Sequence, residues 1–325
     1  MYNVIVNKLG DIENLNYEKI KKEMLPENFV RIKVCASGLN FADLLIIKGK
    51  YQERPKRPFS PGLEVSGEII EVGSKAKIRR KGDKVMSIMK FGGYKQEVIV
   101  PEENTYLIPE KMPLNIAGGF PVIYGTAYSA LVTKAKIRKN ETCLILGATG
   151  GVGIAAIEIA KAYGAKVVAC GGDDKKLLKC KEVGADFVIN YKKDILRTAL
   201  RKYDINEIDV VIDMIGGQYC LDAVKAIKWE GRIVIVGFAS GQIPEVPVNR
   251  LLLKNADVKG LYWGEFAYRH PKLIEKDFIR LGKLYDDGLL KPFNFKEFFL
   301  KDFKEALNFL KSRKNIGKIV LLSGY

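Results

Sequence analysis

The segment from Leu144 to Gly153 constrains the fold of this chain most strongly, because a buried apolar run passes through a glycine turn into a helix-like stretch. Gly147, Gly150 and Gly153 have the spacing G-x-x-G-x-x-G. Glycines so placed permit a tight turn, close approach of backbone N–H groups to a pyrophosphate, and close packing of helix on strand. The helix N-terminus favours an anion. The segment predicts a dinucleotide pocket, although a loop built only for tight turning would accept the same glycines.

The residues around this turn alternate between strand-like and helix-like segments. A parallel strand buried on both faces reads as a continuous apolar run, and helices of this length between such runs indicate right-handed βαβ units. The strands are predicted at Thr142–Leu146, Lys166–Cys170, Asp186–Ile189, Ile208–Asp213 and Gly231–Val236, and the helices at Asp174–Val183, Asp194–Tyr203 and Gln218–Lys228. This pattern predicts an α/β domain with a doubly wound parallel sheet of the Rossmann type.

The first part of the chain has a different pattern, with short alternating segments separated by Gly and Pro. Such segments predict a compact β domain. Its strands are expected at Phe29–Cys35, Glu64–Val72, Asp83–Met89 and Tyr94–Val100. A ligand cleft is expected at the carboxyl ends of the parallel strands.

Composition limits the possible classes of protein. The chain has 325 residues, with 54 Lys and Arg against 38 Asp and Glu and a net charge of +16. The basic residues are not interleaved with aromatics as in a single-strand binding platform, so a solvated lysine-rich surface is the simpler interpretation. The five cysteines are scattered without C-x-x-C spacing, which argues against a disulfide framework. With no transmembrane run or signal-peptide layout, a cytoplasmic protein is expected.

A set of ordered motifs resembles the medium-chain dehydrogenase/reductase superfamily, in particular its zinc-independent quinone oxidoreductase branch, over nearly the whole chain. The motifs are Ala36–Asp43, Pro61–Gly67, Glu71–Gly73, Lys81–Val85, Gly92–Tyr94, Gly125–Tyr128, Ala148–Gly153 and Gly231–Val234. The resemblance implies a GroES-like substrate and catalytic domain formed by residues 1–122 and 265–325, and a Rossmann domain formed by residues 123–264. It also implies that the C-terminal segment returns to the first domain, which the predicted last strand Ile316–Leu322 fits.

In zinc-dependent members of this superfamily, a Cys and a His hold the catalytic metal. The resemblance places Asn40 and Leu63 at those two positions, so neither thiolate nor imidazole is available. The only histidine, His270, is expected at the surface near the start of a late helix. No zinc site is therefore predicted. Hydride transfer to a quinone or an activated alkene needs less help than ketone reduction, because the developing charge spreads to a remote oxygen that modest donors can serve.

The end of the second predicted strand bears on the choice of cofactor. NAD enzymes commonly place Asp or Glu there to bind the ribose 2′-hydroxyl, whereas this chain has Gly171. Asp173 and Asp174 follow, but they resemble the N-cap and first turn of a helix. Lys176 and Tyr191 are at positions that resemble the phosphate-binding ones of NADPH-dependent relatives, which favours NADPH. A solvated helix lysine and a turn tyrosine are the simpler alternatives.

Further cofactor contacts are implied by the resemblance alone. They are Tyr51, Thr149, Gly150, Gly151, Val152, Gly237, Phe238, Ala239, Leu261, Tyr262 and Trp263. For Tyr51 and Tyr262, ordinary packed aromatics remain an equal alternative.

Two residues are candidates for a catalytic role. Asn40 can donate its amide to a substrate oxygen, and Tyr51 can donate its phenol or relay a proton. Asp43 is expected to order its loop by local hydrogen bonds. If Asn40 only stabilises the loop, catalysis reduces to hydride positioning with protons from solvent.

Three functions therefore stay open. The first is an NADPH:quinone reductase, and the second is an NADPH-dependent double-bond reductase of enones, 2-alkenals or acrylate-like substrates. The third is an NADPH-binding regulatory or nucleic-acid-associating protein, which predicts salt-dependent nucleic-acid binding with little turnover. The resemblance further implies a homodimer, with strand pairing near Asp257–Leu261 across subunits. No membrane or nucleic-acid partner is expected.

Overall fold

The computed structural model describes residues 1–324. Strands lie at β1 (Tyr2–Val6), β2 (Leu15–Lys19), β3 (Phe29–Gly38), β4 (Glu64–Val72), β5 (Lys84–Ile88), β6 (Glu97–Pro101), β7 (Thr105–Leu107), β8 (Thr142–Leu146), β9 (Lys166–Gly171), β10 (Phe187–Asn190), β11 (Ile208–Asp213), β12 (Ile227–Ile235), β13 (Asp257–Gly260), β14 (Asn294–Phe299) and β15 (Lys318–Leu322). Helices lie at α1 (Phe41–Ile47), α2 (Leu114–Ala117), α3 (Phe120–Tyr128), α4 (Gly151–Ala162), α5 (Asp174–Val183), α6 (Leu196–Arg201), α7 (Gly217–Ala226), α8 (Val248–Lys254), α9 (Trp263–Arg269), α10 (Pro271–Asp286) and α11 (Phe303–Lys311).

The chain divides into two compact units. One comprises residues 1–122, 270–283 and the chain from Pro292 onward, and the other comprises residues 123–269 and 284–291. Among residues 1–324, no helix combines the length and the apolar character that a membrane span requires.

The first unit is built around a mainly antiparallel sheet with the strand order β14-β15-β3-β4-β5-β7, and β6 pairs with β3 as well. The long central strand β3 pairs with β15, where Val320 lies opposite Gly38. The C-terminal strand therefore returns to the N-terminal sheet, as the resemblance implied. Continued by the bond from the Leu39 N–H to the Ile319 carbonyl (2.9 Å), this register brings Lys318 close to Asn40.

The second unit contains a parallel sheet with the strand order β10-β9-β8-β11-β12-β13. Counted within the unit, this is the order 3-2-1-4-5-6 of a Rossmann domain, so the predicted fold class is confirmed. The central strand β8 is apolar and almost wholly buried, as a strand covered by helices on both faces should be.

Most predicted strands match closely, but the region from 217 to 235 differs. The predicted helix to Lys228 ends at Ala226, and β12 begins at Ile227 rather than at Gly231. The register between β11 and β12 shifts between the pairs Ile208–Ile227 and Val210–Arg232, and Glu230 has a positive φ of 56°. An irregular insertion inside a strand leaves no periodic signal, so the sequence showed only the regular part.

Candidate functional site

The glycine turn of the second unit follows β8 directly. Gly147 has φ 85°, a conformation that favours glycine, and the N–H groups of Gly147 and Ala148 donate to the Cys170 carbonyl at 3.1 and 2.9 Å. A Cβ on Gly153 would lie 2.5 Å from the Ala148 Cα and from the Gly147 carbonyl oxygen. The third glycine is therefore required for close packing of α4 on the turn, as its spacing predicted.

The N-terminus of α4 has the features of an anion site. The helix has 12 residues, its N-cap is Gly150, and neither a side-chain cap nor an acidic residue occupies the first turn. The Ile154 N–H is bonded back to the Gly150 carbonyl at 2.9 Å, so the preceding N–H groups of the first turn have no helical acceptor. A Cβ on Gly150 would meet only the Gly147 oxygen, at 3.6 Å. Open space beside unpaired donors fits a pyrophosphate.

The acidic groups after β9 are engaged in local structure. Asp173 caps α5 by accepting from the Lys176 N–H at 3.1 Å, as predicted for an N-cap. Asp174 accepts from the Asn190 amide at 2.6 Å and pairs with Lys193. At Gly171 a Cβ would lie 3.0 Å from the Thr149 methyl carbon, so a longer side chain has little room.

Cationic and aromatic side chains surround the same strand end. A Cβ on Gly172 would lie 2.8 Å from the Lys192 Cε and 3.2 Å from the Tyr191 ring. The Tyr191 ring in turn packs against Tyr219 with centroids 4.1 Å apart. Burial lowers the pKa of Lys176, the Asp173 carboxylate opposes this shift, and the charge of Lys192 adds to it. A lysine whose charge is disfavoured by burial and by a neighbouring ammonium group would be stabilised by a bound anion.

The two remaining predicted cofactor segments, residues 237–239 and 261–263, contain both exposed and buried side chains. The N–H groups of Val236 and Gly237 donate to the Asp213 carbonyl at 2.8 and 3.3 Å, and the nearest atom to a Cβ on Gly237 would be the Met214 oxygen at 3.8 Å. Phe238 and Tyr262 are partly exposed, whereas Leu261 and Trp263 are buried. The Trp263 indole donates to the Ser129 hydroxyl at 3.1 Å. The cofactor roles of both segments stay predictions.

A buried polar network in the first unit contains Asn40. The Lys318 ammonium donates to Asn40 Oδ1 at 2.7 Å, and Asn40 Nδ2 donates to Glu64 Oε1 at 2.9 Å and to the Gly38 carbonyl at 3.3 Å. Lys318 and Glu64 also form an ion pair at 2.5 Å, with side chains 3% and 0% exposed. The amide of Asn40 thus has partners within the protein for both of its ends.

Asp43 continues this network toward Tyr94. Its Oδ2 accepts from the Asn40 N–H at 2.8 Å and from the Tyr94 hydroxyl at 2.7 Å, while its buried Oδ1 has no hydrogen-bond partner. Burial raises the pKa of Asp43 to about 6, against the lowering effect of those two donors and of Lys318. The prediction that Asp43 orders its loop by local hydrogen bonds is confirmed, because its carboxylate accepts from the N–H of Asn40, the N-cap residue of α1.

Tyr51 and Leu63, the other two residues discussed for this unit, are half-buried and pack against one hydrophobic cluster. His270 is exposed and precedes α10, as predicted. Among residues 1–324, no group of three or more His, Cys, Asp or Glu side chains is arranged to hold a metal ion.

Sequence reasoning missed three members of the network, Glu64, Tyr94 and Lys318, as functional candidates. Glu64 and Lys318 are charged residues inside predicted buried strands, and a charge there needs a partner. That signal was present, but the partner of each charge was not visible because Lys318 lies 278 positions from Asn40.

Comparison with known proteins agrees with this architecture. Residues 26–110 match the alcohol dehydrogenase GroES-like domain, and residues 151–277 match the family described as zinc-binding dehydrogenase. The chain is 38% identical over 294 residues to quinone oxidoreductase-like protein 2 of Mus musculus, covering 90% of this chain and 84% of that protein.

Solved structures resemble it over almost their whole length. A probable oxidoreductase from Mycobacterium abscessus is 33% identical with a TM-score of 0.89, covering 99% of this chain and 98% of its own. Escherichia coli quinone oxidoreductase complexed with NADPH is 25% identical with a TM-score of 0.89, covering 99% of this chain and 100% of its own. The chain belongs to the medium-chain dehydrogenase/reductase superfamily, in its quinone oxidoreductase branch. It is thus an oxidoreductase by family.

Proposed function

We propose that the protein is a zinc-independent reductase that transfers a hydride from NADPH to a quinone. The observation that carries the proposal is the network around Asn40. At the two positions where zinc-dependent relatives have a Cys and a His ligand, this chain has a buried amide bonded to Lys318 and Glu64, and the aliphatic Leu63. Without those ligands, an acceptor that spreads negative charge over a conjugated system is the best match to the residues present.

The glycine turn and the end of β9 support NADPH as the cofactor. The first-turn N–H groups of α4, with Thr149, Gly150, Gly151 and Val152, would hold the pyrophosphate. Lys176 and Tyr191 would hold the 2′-phosphate, with Lys192 adding positive charge, because Gly171 offers no carboxylate for a free 2′-hydroxyl. When bound, NADPH would supply the hydride.

The chain's own contribution is binding, orientation and hydrogen bonding. Gly237, which borders open space, would allow the nicotinamide to approach the sheet edge, and Phe238, Ala239 and Tyr262 would line it. Asn40 would donate to the acceptor oxygen, with Tyr51 as a second candidate donor. No metal is required in this scheme, and the one proton needed in addition to the hydride would come from solvent.

A second copy of the chain is the proposed partner. Strand β13 lies at the edge of the parallel sheet, paired with β12, and its other edge presents N–H and C=O groups. The nearby α8 exposes Val248, Leu252 and Leu253 at 74–79% of their surface. An unpaired edge beside exposed apolar side chains fits a homodimer in which two β13 strands pair.

The test is a panel of quinones, enones, 2-alkenals and simple alcohols, assayed with NADPH and NADH separately. We expect quinone reduction with NADPH at a rate insensitive to added nucleic acid. Preferential turnover of enones would assign the double-bond reductase function instead, since the same residues can serve both acceptors. Oxidation of simple alcohols would contradict the zinc-independent proposal, and a preference for NADH would contradict the role given to Lys176.

A further inference from the structure

The amide of Asn40 is held in one orientation by two opposite charges. Its oxygen accepts from the Lys318 ammonium at 2.7 Å and its nitrogen donates to the Glu64 carboxylate at 2.9 Å. Turning the amide over would direct NH₂ toward the ammonium and the oxygen toward the carboxylate, and both charge-assisted hydrogen bonds would be lost. The two charges therefore fix the oxygen of the amide on the Lys318 side and its NH₂ group on the Glu64 side.

The two charged groups that hold the amide are themselves fixed. The second carboxylate oxygen of Glu64 accepts from the Val122 N–H at 2.8 Å. Close backbone packing restricts Lys318, since a Cβ on Gly38 would lie 2.7 Å from its Cε and a Cβ on Gly119 would lie 2.6 Å from its Cγ. A backbone hydrogen bond thus holds Glu64 beside Asn40, and close packing against backbone holds Lys318 there.

One hydrogen bond of the amide is weak. Asn40 Nδ2 has two hydrogens, and the one directed to the Gly38 carbonyl spans 3.3 Å, beyond the usual range for N–H···O bonds. That hydrogen can pass to a better acceptor while the other stays on Glu64. The donation from Lys318 to Oδ1 also polarises the amide, which strengthens its N–H groups as donors.

We propose that Lys318 and Glu64 are positioning residues that fix the Asn40 amide as a hydrogen-bond donor to the oxygen of the acceptor substrate. This inference rests on the proposed function, because that oxygen is the one that gains negative charge when a hydride reaches the conjugated system. A donor fixed in advance costs no reorganisation at the moment of transfer. The carboxamide of Asn40 touches the substrate, and the ion pair acts through it.

The decisive variant is the double replacement Glu64→Gln and Lys318→Met. It removes both charges together and keeps similar volumes, so no unpaired buried charge remains. The Val122 N–H would keep the oxygen of the new carboxamide at position 64, whose NH₂ is then turned toward residue 40. Asn40 can satisfy that donor only with its oxygen, and its amide is then inverted.

A second double variant removes the donor while keeping the hydrogen bonds. In Asn40→Asp with Glu64→Gln, the new carboxylate accepts from Lys318 and from the carboxamide NH₂ introduced at position 64, and the net charge of the trio is unchanged. This variant should fold, but residue 40 has no hydrogen to donate. The matched surface control is Glu27→Gln with Lys75→Met, which removes an exposed ion pair of 2.5 Å.

Two readouts decide the outcome. For both network variants we expect kcat to fall about tenfold or more with the KM for NADPH within about twofold of the wild type, while the surface control keeps both constants. The side-chain NH₂ signals of Asn40 in an ¹⁵N–¹H spectrum, assigned by their loss in the Asp variant, should shift in Glu64→Gln/Lys318→Met.

Unchanged kcat in either network variant would overturn the proposal, and so would unchanged Asn40 signals in the charge-removed variant. Failure of the proposed function is a separate result, because the wild type would then reduce neither quinones nor enones, and the NMR comparison would still test whether the ion pair sets the amide orientation.

Discussion

The glycine turn of the second unit and the Asn40 network of the first are built in opposite ways. The turn uses backbone N–H groups of consecutive residues, from Gly147 to Gly153, and depends on the absence of side chains. The network uses side chains from Asn40, Glu64 and Lys318, which only the folded sheet brings together. A backbone site is specified by local spacing, whereas a side-chain site is specified by strand pairing.

This difference determines how each place should respond to mutation. In the turn, adding one methyl group is damaging where there is no space for it and harmless to stability where there is. In the network, removing one partner leaves the other as an uncompensated buried charge.

The single variant Lys318→Met should cause the largest loss of stability. It leaves the wholly buried Glu64 carboxylate without its ion-pair partner, and such changes cost about 3–5 kcal/mol. Urea unfolding at pH 7.5 measures this, and Lys75→Met is the exposed control, with an expected change of about 1 kcal/mol or less. The Lys318–Glu64 ion pair would not stabilise the fold if Lys318→Met and its exposed control were equally stable. The same would follow if adding Glu64→Gln to Lys318→Met restored no stability.

The variant Gly153→Ala should have the next largest effect. Its methyl group would lie 2.5 Å from backbone atoms of Gly147 and Ala148, and overpacking of this kind costs on the order of 2 kcal/mol. Gly150→Ala adds the same methyl group where the nearest atom is 3.6 Å away, so its free energy of unfolding should stay within about 0.5 kcal/mol. Equal destabilisation of the two variants in thermal and urea unfolding would contradict the assignment of separate roles to the two glycines.

The sequence predicted the turn well because every part of it is local. The strand β8, the three glycines and the capping role of Asp173 all depend on neighbours within a few residues. The fold class followed from the same periodicity, and the parallel order 3-2-1-4-5-6 agrees with it.

The network was predicted only in part, for a physical reason. Asn40 is the N-cap of α1 and Asp43 lies three residues later in its first turn, so local rules suffice for the hydrogen bond between them. The contact between Asn40 and Lys318 needs the register of β15 on β3, and the orientation of the amide needs both charges in place. A local spacing rule cannot predict a contact between residues that lie 278 positions apart in the sequence.

Removal of the Lys176 charge, in the first turn of α5 after β9, should change cofactor selectivity with little effect on stability. In Lys176→Ala the KM for NADPH should rise about tenfold, the equivalent of about 1.4 kcal/mol, because a charge-assisted contact to the 2′-phosphate is lost. The KM for NADH should change less than about twofold. Lys175→Ala, on the exposed side of the same helix turn, is the control. Equal effects on the two cofactors in steady-state kinetics would assign Lys176 to the solvated surface.

The smallest expected effect concerns two buried carboxylates of the first unit, one inside a hydrogen-bonded network and one outside it. The Asp43 carboxylate accepts hydrogen bonds from two donors. Both oxygens of Asp277 on α10 lack a hydrogen-bond partner, and the ion pair of Asp277 with Arg280 spans 3.7 Å. Burial raises the pKa of Asp277 to about 6, with the charge of Arg280 opposing this. Because the folded protein binds this proton more tightly than the unfolded chain does, the stability that Asp277 contributes is present below about pH 4 and is lost as the pH rises through 6.

Asp277→Asn should therefore be neutral near pH 4 and more stable than the wild type by about 1 kcal/mol at pH 8. Asp43→Asn should be less stable than the wild type at both pH values, since the carboxylate accepts from the Asn40 N–H and the Tyr94 hydroxyl and an amide can replace only part of that pairing. Because burial also raises the pKa of Asp43 to about 6, this loss should be smaller at pH 8 than at pH 4. Urea unfolding of the three proteins between pH 4 and pH 8 makes the comparison. A gain for both variants at pH 8 would mean that the Asn40 network does not stabilise the charge of Asp43, and that burial alone governs both groups.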